Sequence, residues 1–150
     1  MNEIQINFDE GKEFLLNNVR PLTGLIGLYF IYNREISIQY PFQKSKLIYI
    51  GMSEKKTNSI GKRLQGHLEG TSGNKGIQGY KSVNELYFTY INFEMLKKRW
   101  TSSIELLESY FISNFVEKFG VYPICNNQSG YDLSKLDLDL KLIIDWEYFQ

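Results

Sequence analysis

Residues 25–32, Leu-Ile-Gly-Leu-Tyr-Phe-Ile-Tyr, and residues 46–51, Lys-Leu-Ile-Tyr-Ile-Gly, decide how this chain folds. Both are short, nearly unbroken apolar runs rich in aromatic and β-branched side chains, the composition of buried strands. Consecutive strands usually pair, so the two read as an antiparallel hairpin if the connection is simple. That connection, 33–45, has room for a short extra strand over 36–40, stopped by Pro41. Residues 84–93, Asn-Glu-Leu-Tyr-Phe-Thr-Tyr-Ile-Asn-Phe, predict a third strand whose direction periodicity leaves open.

The helix signals lie between and after these strands. Ser59 is placed to cap a helix over 60–69, with Gly70 as its stop. Ile60, Leu64 and Leu68 form its apolar seam, and Arg63 and His67, four residues apart, share a face at the edge of that seam. Residues 70–82 contain Gly70, Gly73, Gly76 and Gly79 among Ser, Asn and Lys, which predicts a flexible loop. The longest helix is expected over 101–119. With Ile104 at 0° and about 100° per residue, Glu108 falls at about 40°, inside a stripe of Leu107, Phe111, Ile112, Phe115 and Phe119. A short helix is expected before Arg20 and a final one over 133–146. The pattern predicts an α/β (α+β) fold with a small, mostly antiparallel three-stranded sheet flanked by helices, in a single domain over 1–150.

Composition narrows the function classes. With 150 residues, 43% of them hydrophobic, and 10 Phe and 11 Tyr, the chain has material for one packed core. The single Cys125 excludes an intrachain disulfide framework and a thiolate zinc cluster. The acidic start lacks a basic segment leading into a long apolar run, and the apolar stretch 22–32 is too short to cross a bilayer as a helix, so a soluble, cytoplasmic protein with no membrane partner is expected. Seventeen basic and seventeen acidic residues cancel overall. Residues 44–81 nevertheless carry eight basic groups against two acidic ones, which is either a local positive field for nucleic acid or a lysine-decorated solvated loop.

Several residues invite chemistry. A carboxylate such as Glu108 within an apolar stripe must be hydrogen-bonded, paired with an arginine or bound to a metal. One carboxylate suits Mg²⁺, which keeps waters and takes oxygens from a phosphate. Arg63 carries a donor fork matched to phosphate. His67, with an ordinary pKa of about 6.5, is able to orient or deprotonate a hydroxyl. Tyr29 and Tyr49 by themselves read as core tyrosines with their hydroxyls at the rim.

Together these residues form a pattern. Gly27-Leu28-Tyr29 followed by Tyr49-Ile50-Gly51 resembles the paired tripeptides of the GIY-YIG nuclease superfamily, with Leu28 in the usual isoleucine place. Arg63 matches that family's essential arginine, and His67 resembles the histidine of its restriction-enzyme members. Leu106-Leu107-Glu108 with Phe111-Ile112 resembles the helix bearing the metal-binding glutamate, and Pro123-Ile124-Cys125-Asn126 resembles the closing Pro and Asn. Asn126 is preferred to Asn127 because it directly follows the Pro-x-Cys segment. The match spans residues 24–127, with a long connection between the tyrosines and extra residues at 120–122.

The resemblance implies a small restriction or phage-type endonuclease that hydrolyses a DNA phosphodiester with one Mg²⁺ (or Mn²⁺), leaving a 5′-phosphate and a 3′-hydroxyl. It implies a catalytic set of Tyr29, Tyr49, Arg63, His67, Glu108 and Asn126. In that set Glu108 holds the metal, Tyr29 activates water, Tyr49 contacts the phosphate or the water, and Asn126 fixes the geometry. Lys55, Lys56, Lys62, Lys75 and Lys81 are the expected DNA contacts. Recognition is expected from residues 33–45 and 70–82 or from a homo-oligomer, since a double-strand cut by a one-site domain needs two subunits or two visits. A catalytically inactive DNA-binding or structural protein of the same fold is the alternative, and a protein-interaction module is a third.

Overall fold

The computed structural model describes residues 2–126 and 140–150. The two runs that open the sequence argument become β3 (Gly27–Asn33) and β6 (Leu47–Ser53), and they pair antiparallel. The third run is β7 (Leu86–Asn92), which lies antiparallel on the other side of β3. The sheet has four strands rather than the expected three, because β2 (Lys12–Glu13) adds two residues to the outer edge of β7. Its order is β2-β7-β3-β6, so β3 is paired on both sides, which explains why all seven of its residues are buried. A hairpin of β4 (Ile38–Gln39) and β5 (Lys44–Ser45) occupies the 33–45 connection.

Three expectations are corrected. The segment before Arg20 holds two strands: in β1 (Asn2–Ile6) Ile4 and Ile6 are buried while Glu3 and Gln5 face out, a period of two, and the helix shrinks to α1 (Leu16–Val19). The final helix expected over 133–146 is instead β8 (Leu140–Ile144), parallel to β1, followed by a 3₁₀ turn; residues 133–139 lie outside the described residues. Lys-Leu-Ile-Ile satisfies either periodicity, and pairing with β1 decides for strand. The glycine-rich loop is largely a helix, α3 (Lys75–Val83), because Asn74 accepts the Ile77 N–H at 3.0 Å and Ile77 anchors it in the core.

The remaining helices follow their caps. In α2 (Ile60–Glu69) Ser59 accepts the Lys62 N–H, and Gly70 ends the helix at φ +86°. In α4 (Ile104–Phe119) Ser103 accepts the Leu106 N–H, and Gly120 closes it at φ +96°.

Two apolar layers sandwich the sheet. Leu28 and Phe30 of β3 pack with α4, the β1–β8 pair and the C-terminal Trp146 and Phe149. Tyr29 and Ile31, on the opposite face, pack with α1, α2 and α3. No described helix is long and apolar enough to cross a membrane.

Candidate functional site

The site grows from a register irregularity in the central hairpin. Ile31 faces Tyr49 but Tyr32 faces Leu47, so Ile48 is an extra residue in β6. The bulge leaves Ile48 in the α2-side cluster with Tyr49 packed against it, and Tyr49 comes to lie beside Tyr29 with ring centroids 6.0 Å apart. Opposite Tyr29 stands Gly51, and a Cβ there would meet the Tyr29 ring at 2.3 Å from Cζ and 2.5 Å from Oη. The glycine is therefore the floor on which Tyr29 rests.

Helix α2 covers the two rings. Its close approach uses Gly61, where a Cβ would meet the Thr23 backbone nitrogen at 2.5 Å. Arg63 Nε donates to the Tyr29 hydroxyl at 3.4 Å, and His67 Nε2 shares a 3.0 Å hydrogen bond with the same oxygen. The other ring nitrogen of His67, Nδ1, shares a 2.7 Å bond with Ser72 Oγ. Tyr29 has no exposed surface and His67 is 4% exposed. Burial raises the pKa of Tyr29 above that of a free phenol, opposed chiefly by the Arg63 charge. Burial, aided by the same guanidinium, pushes His67 down to about 4, so its imidazole is neutral at pH 7. Tyr49, raised by burial and further by the neighbouring Tyr29 hydroxyl, makes no side-chain hydrogen bond within 3.5 Å among the described residues and is itself partly exposed.

Glu108 enters from α4, which runs beside the edge strand β6. Arg63 does not pair with it: the ion pairs among the described residues are Arg34–Glu85 and Lys97–Glu94. The Glu108 carboxylate is half-buried and has no hydrogen-bond or ion-pair partner among those residues. Desolvation lifts its pKa to about 7 against the opposing pull of Arg63, and its charge acts on Tyr29, Tyr49 and Arg63 alike. A half-buried carboxylate without a partner among the described residues could hold a hard divalent ion that completes its shell with water and substrate oxygens. No group of three or more His, Cys, Asp and Glu side chains gathers among the described residues.

Asn126 works on the backbone. Its Oδ1 accepts the Ile50 N–H at 3.0 Å and its Nδ2 donates to the Ile50 carbonyl at 2.9 Å, so the amide replaces the missing neighbour of the edge strand between Tyr49 and Gly51. Asn127 lies outside the described residues.

The five lysines are exposed, but they are not equivalent. Lys62, with Asn58, Arg63, His67 and Ser72, lines a cleft of about 460 Å³ beside α2. Lys55 and Lys56 precede α2 in the β6–α2 connection, and Lys75 begins α3. Lys81 Nζ donates to the Leu68 carbonyl at 2.8 Å and so ties α3 to the end of α2. Ser72 escaped the sequence reading because a serine between glycines reads as loop filler; its spacing of five from His67, just past a helix stop, was the available signal. The chain matches no family model, no curated protein and no solved structure at a significant level.

Proposed function

We propose that the protein is a divalent-metal-dependent DNA endonuclease of GIY-YIG type. The observation that carries this reading is the convergence of Arg63, His67 and Tyr29 in one hydrogen-bonded cluster whose electrostatics Glu108, without a partner among the described residues, also enters. Titratable groups whose pKa values burial and a nearby charge shift tend to gather at functional sites, and a half-buried carboxylate with no partner among the described residues costs stability unless something binds it.

In this reading Arg63 exchanges its long bond to Tyr29 for the scissile phosphate, where its fork offsets charge on the non-bridging oxygens. The exchange uncovers the Tyr29 hydroxyl for the attacking water. His67 Nε2, neutral and already bonded to that hydroxyl, receives the proton that Tyr29 must pass on to act as a base near neutral pH. Tyr49 orients the phosphate or the water through its unengaged hydroxyl. Asn126 keeps Tyr49 and Gly51 in register by holding Ile50. Bound at Glu108, Mg²⁺ or Mn²⁺ would supply Lewis-acid polarisation of the phosphate and stabilise the leaving 3′-oxygen. Lys55, Lys56, Lys62 and Lys75 provide phosphate contacts that position the duplex without reading bases.

The sealed Tyr29 also favours a second reading, a DNA-binding protein of this fold that does not cut. Incubation with supercoiled plasmid and with branched DNA in Mg²⁺, Mn²⁺ or EDTA separates the two. Nicked or linear product, with 5′-phosphate ends and only where metal is present, is expected. DNA retention without any cleavage at excess protein supports the second reading and overturns the first.

A further inference from the structure

Ser72 sits in the turn between α2 and α3, flanked by Gly70 at φ +86° and Gly73 at φ +77°. The turn folds back onto α2, with the Ser72 N–H donating to the Gly66 carbonyl at 3.2 Å. Ser72 Oγ accepts the Asn74 N–H at 3.3 Å and faces His67 Nδ1 at 2.7 Å.

Proton accounting decides which way the His67 bonds run. Arg63 Nε only donates, so the Tyr29 oxygen accepts from it. If His67 carried its proton on Nε2, the Tyr29 oxygen would accept a second time. Its own proton would then be left only the neighbouring Tyr49 hydroxyl, which lies too far or too poorly aligned for a hydrogen bond within 3.5 Å, and Tyr29 has no exposed surface to water. An orphaned buried donor costs about 1–3 kcal/mol. With the proton on Nδ1, Tyr29 donates to Nε2, Nδ1–H donates to Ser72 Oγ, and the Ser72 proton turns to the open cleft. Every buried group is then satisfied. The bonds form one directed chain, Arg63 to Tyr29 to His67 to Ser72, in which each donor strengthens the next.

We propose that Ser72 is the positioning residue of this site: by accepting the Nδ1 proton it holds His67 as the Nδ1–H tautomer and keeps Nε2 free to take the proton of Tyr29. The catalytic consequence rests on the nuclease reading; the tautomer itself does not. Nothing in the resemblance assigns this serine a role, and it touches no reacting atom.

The single histidine makes the test unambiguous, since a ¹H–¹⁵N long-range correlation spectrum of the full chain has one imidazole spin system. At pH 7 the spectrum should show a protonated Nδ1 and an unprotonated Nε2; a protonated Nε2 overturns the proposal. In Ser72→Ala the Nδ1 nitrogen should move toward the unprotonated value as the tautomers mix, and Ser72→Thr, which keeps the hydroxyl, should restore the wild-type spectrum. A Ser72→Ala spectrum identical to wild type overturns the positioning role. In the cleavage assay Ser72→Ala should lower kcat about 10- to 100-fold with KM little changed, as loss of a histidine's orienting partner does elsewhere. A wild-type kcat in Ser72→Ala also overturns it. Absence of cleavage by the wild-type protein refutes the nuclease reading and leaves the spectra to decide the tautomer.

Discussion

Replacing Gly51 by alanine adds one methyl group where the Tyr29 ring already lies. The new Cβ would stand 2.3 Å from Tyr29 Cζ, more than 1 Å inside ordinary carbon–carbon contact. The ring has no exposed surface and is walled by Tyr49 and His67, whose ring centroids lie 6.0 and 5.8 Å away, so it has nowhere to swing. Displacement at the ring is amplified at its hydroxyl, and the 3.0 Å and 3.4 Å bonds to His67 and Arg63 are lost together. Overpacking of a filled core costs about 1–3 kcal/mol and each of the two lost bonds about 0.5–1.5, so a destabilisation of about 2–6 kcal/mol is expected. For a domain of this size that lowers the Tm by roughly 4–24 °C. Gly79→Ala is the control: it lies inside α3 with nothing within 4 Å of a new Cβ, and should stabilise by about 0.5–1 kcal/mol. Thermal melts of both variants measure the difference. A Gly51→Ala protein that melts with wild type would refute the claim that this glycine exists to seat Tyr29.

Three further outcomes follow from the same geometry. His67 has a folded pKa of about 4 against an ordinary 6.5, so the folded state binds fewer protons between these values and stability is present above pH 6.5 and lost as pH falls toward 4; His67→Gln should flatten that part of a Tm–pH profile, worth on the order of 3 kcal/mol. Asn126→Asp keeps the acceptor for the Ile50 N–H but sets a carboxylate against the Ile50 carbonyl, and should destabilise by about 2 kcal/mol or more in urea titrations. Across a salt series Lys62→Ala should weaken DNA binding and reduce the log–log slope by about 0.9, the share of one phosphate contact, since its ammonium lies at the cleft on only a long 3.3 Å bond to the Thr57 carbonyl; Lys81→Ala, whose ammonium is held at 2.8 Å by the Leu68 carbonyl, should leave the slope intact and lower the Tm.

The elements that read correctly from sequence are those with one dominant signal. β3 and β6 are continuous apolar runs that no helix of that length would require, and α2 and α4 carry a capping serine at one end and a glycine at the other. The elements misread are those decided by distant partners. Residues 140–144 become strand through pairing with residues 2–6, at the far end of the chain, and residues 12–13 through the free edge of β7. In α3 two glycines and a run of polar residues hid a helix that Asn74 caps and Ile77 buries, so a tertiary anchor outweighed weak propensity. At the site, residue types were legible but relations were not. Gly51 beneath Tyr29, the Ile48 bulge, Ser72 on His67 and the Asn126 clamp are cross-chain contacts with no local periodicity. The Arg63–Glu108 ion pair, the plainest structural role for Glu108, is absent among the described residues.

Central to the proposed function is that the Glu108 carboxylate, which has no partner among the described residues, holds the metal. The decisive measurement is the single-turnover cleavage rate of Glu108→Gln in Mg²⁺, with the folded state verified by its melt. Glutamine keeps the volume and removes the charge, and with no partner among the described residues to strand, the fold should be neutral or slightly stabilised. Cleavage should fall at least about a hundredfold, equivalent to roughly 3 kcal/mol of lost charge stabilisation, while DNA binding without metal persists or strengthens. A folded Glu108→Gln protein that cuts DNA in Mg²⁺ at the wild-type rate would contradict the claim that this carboxylate holds the metal.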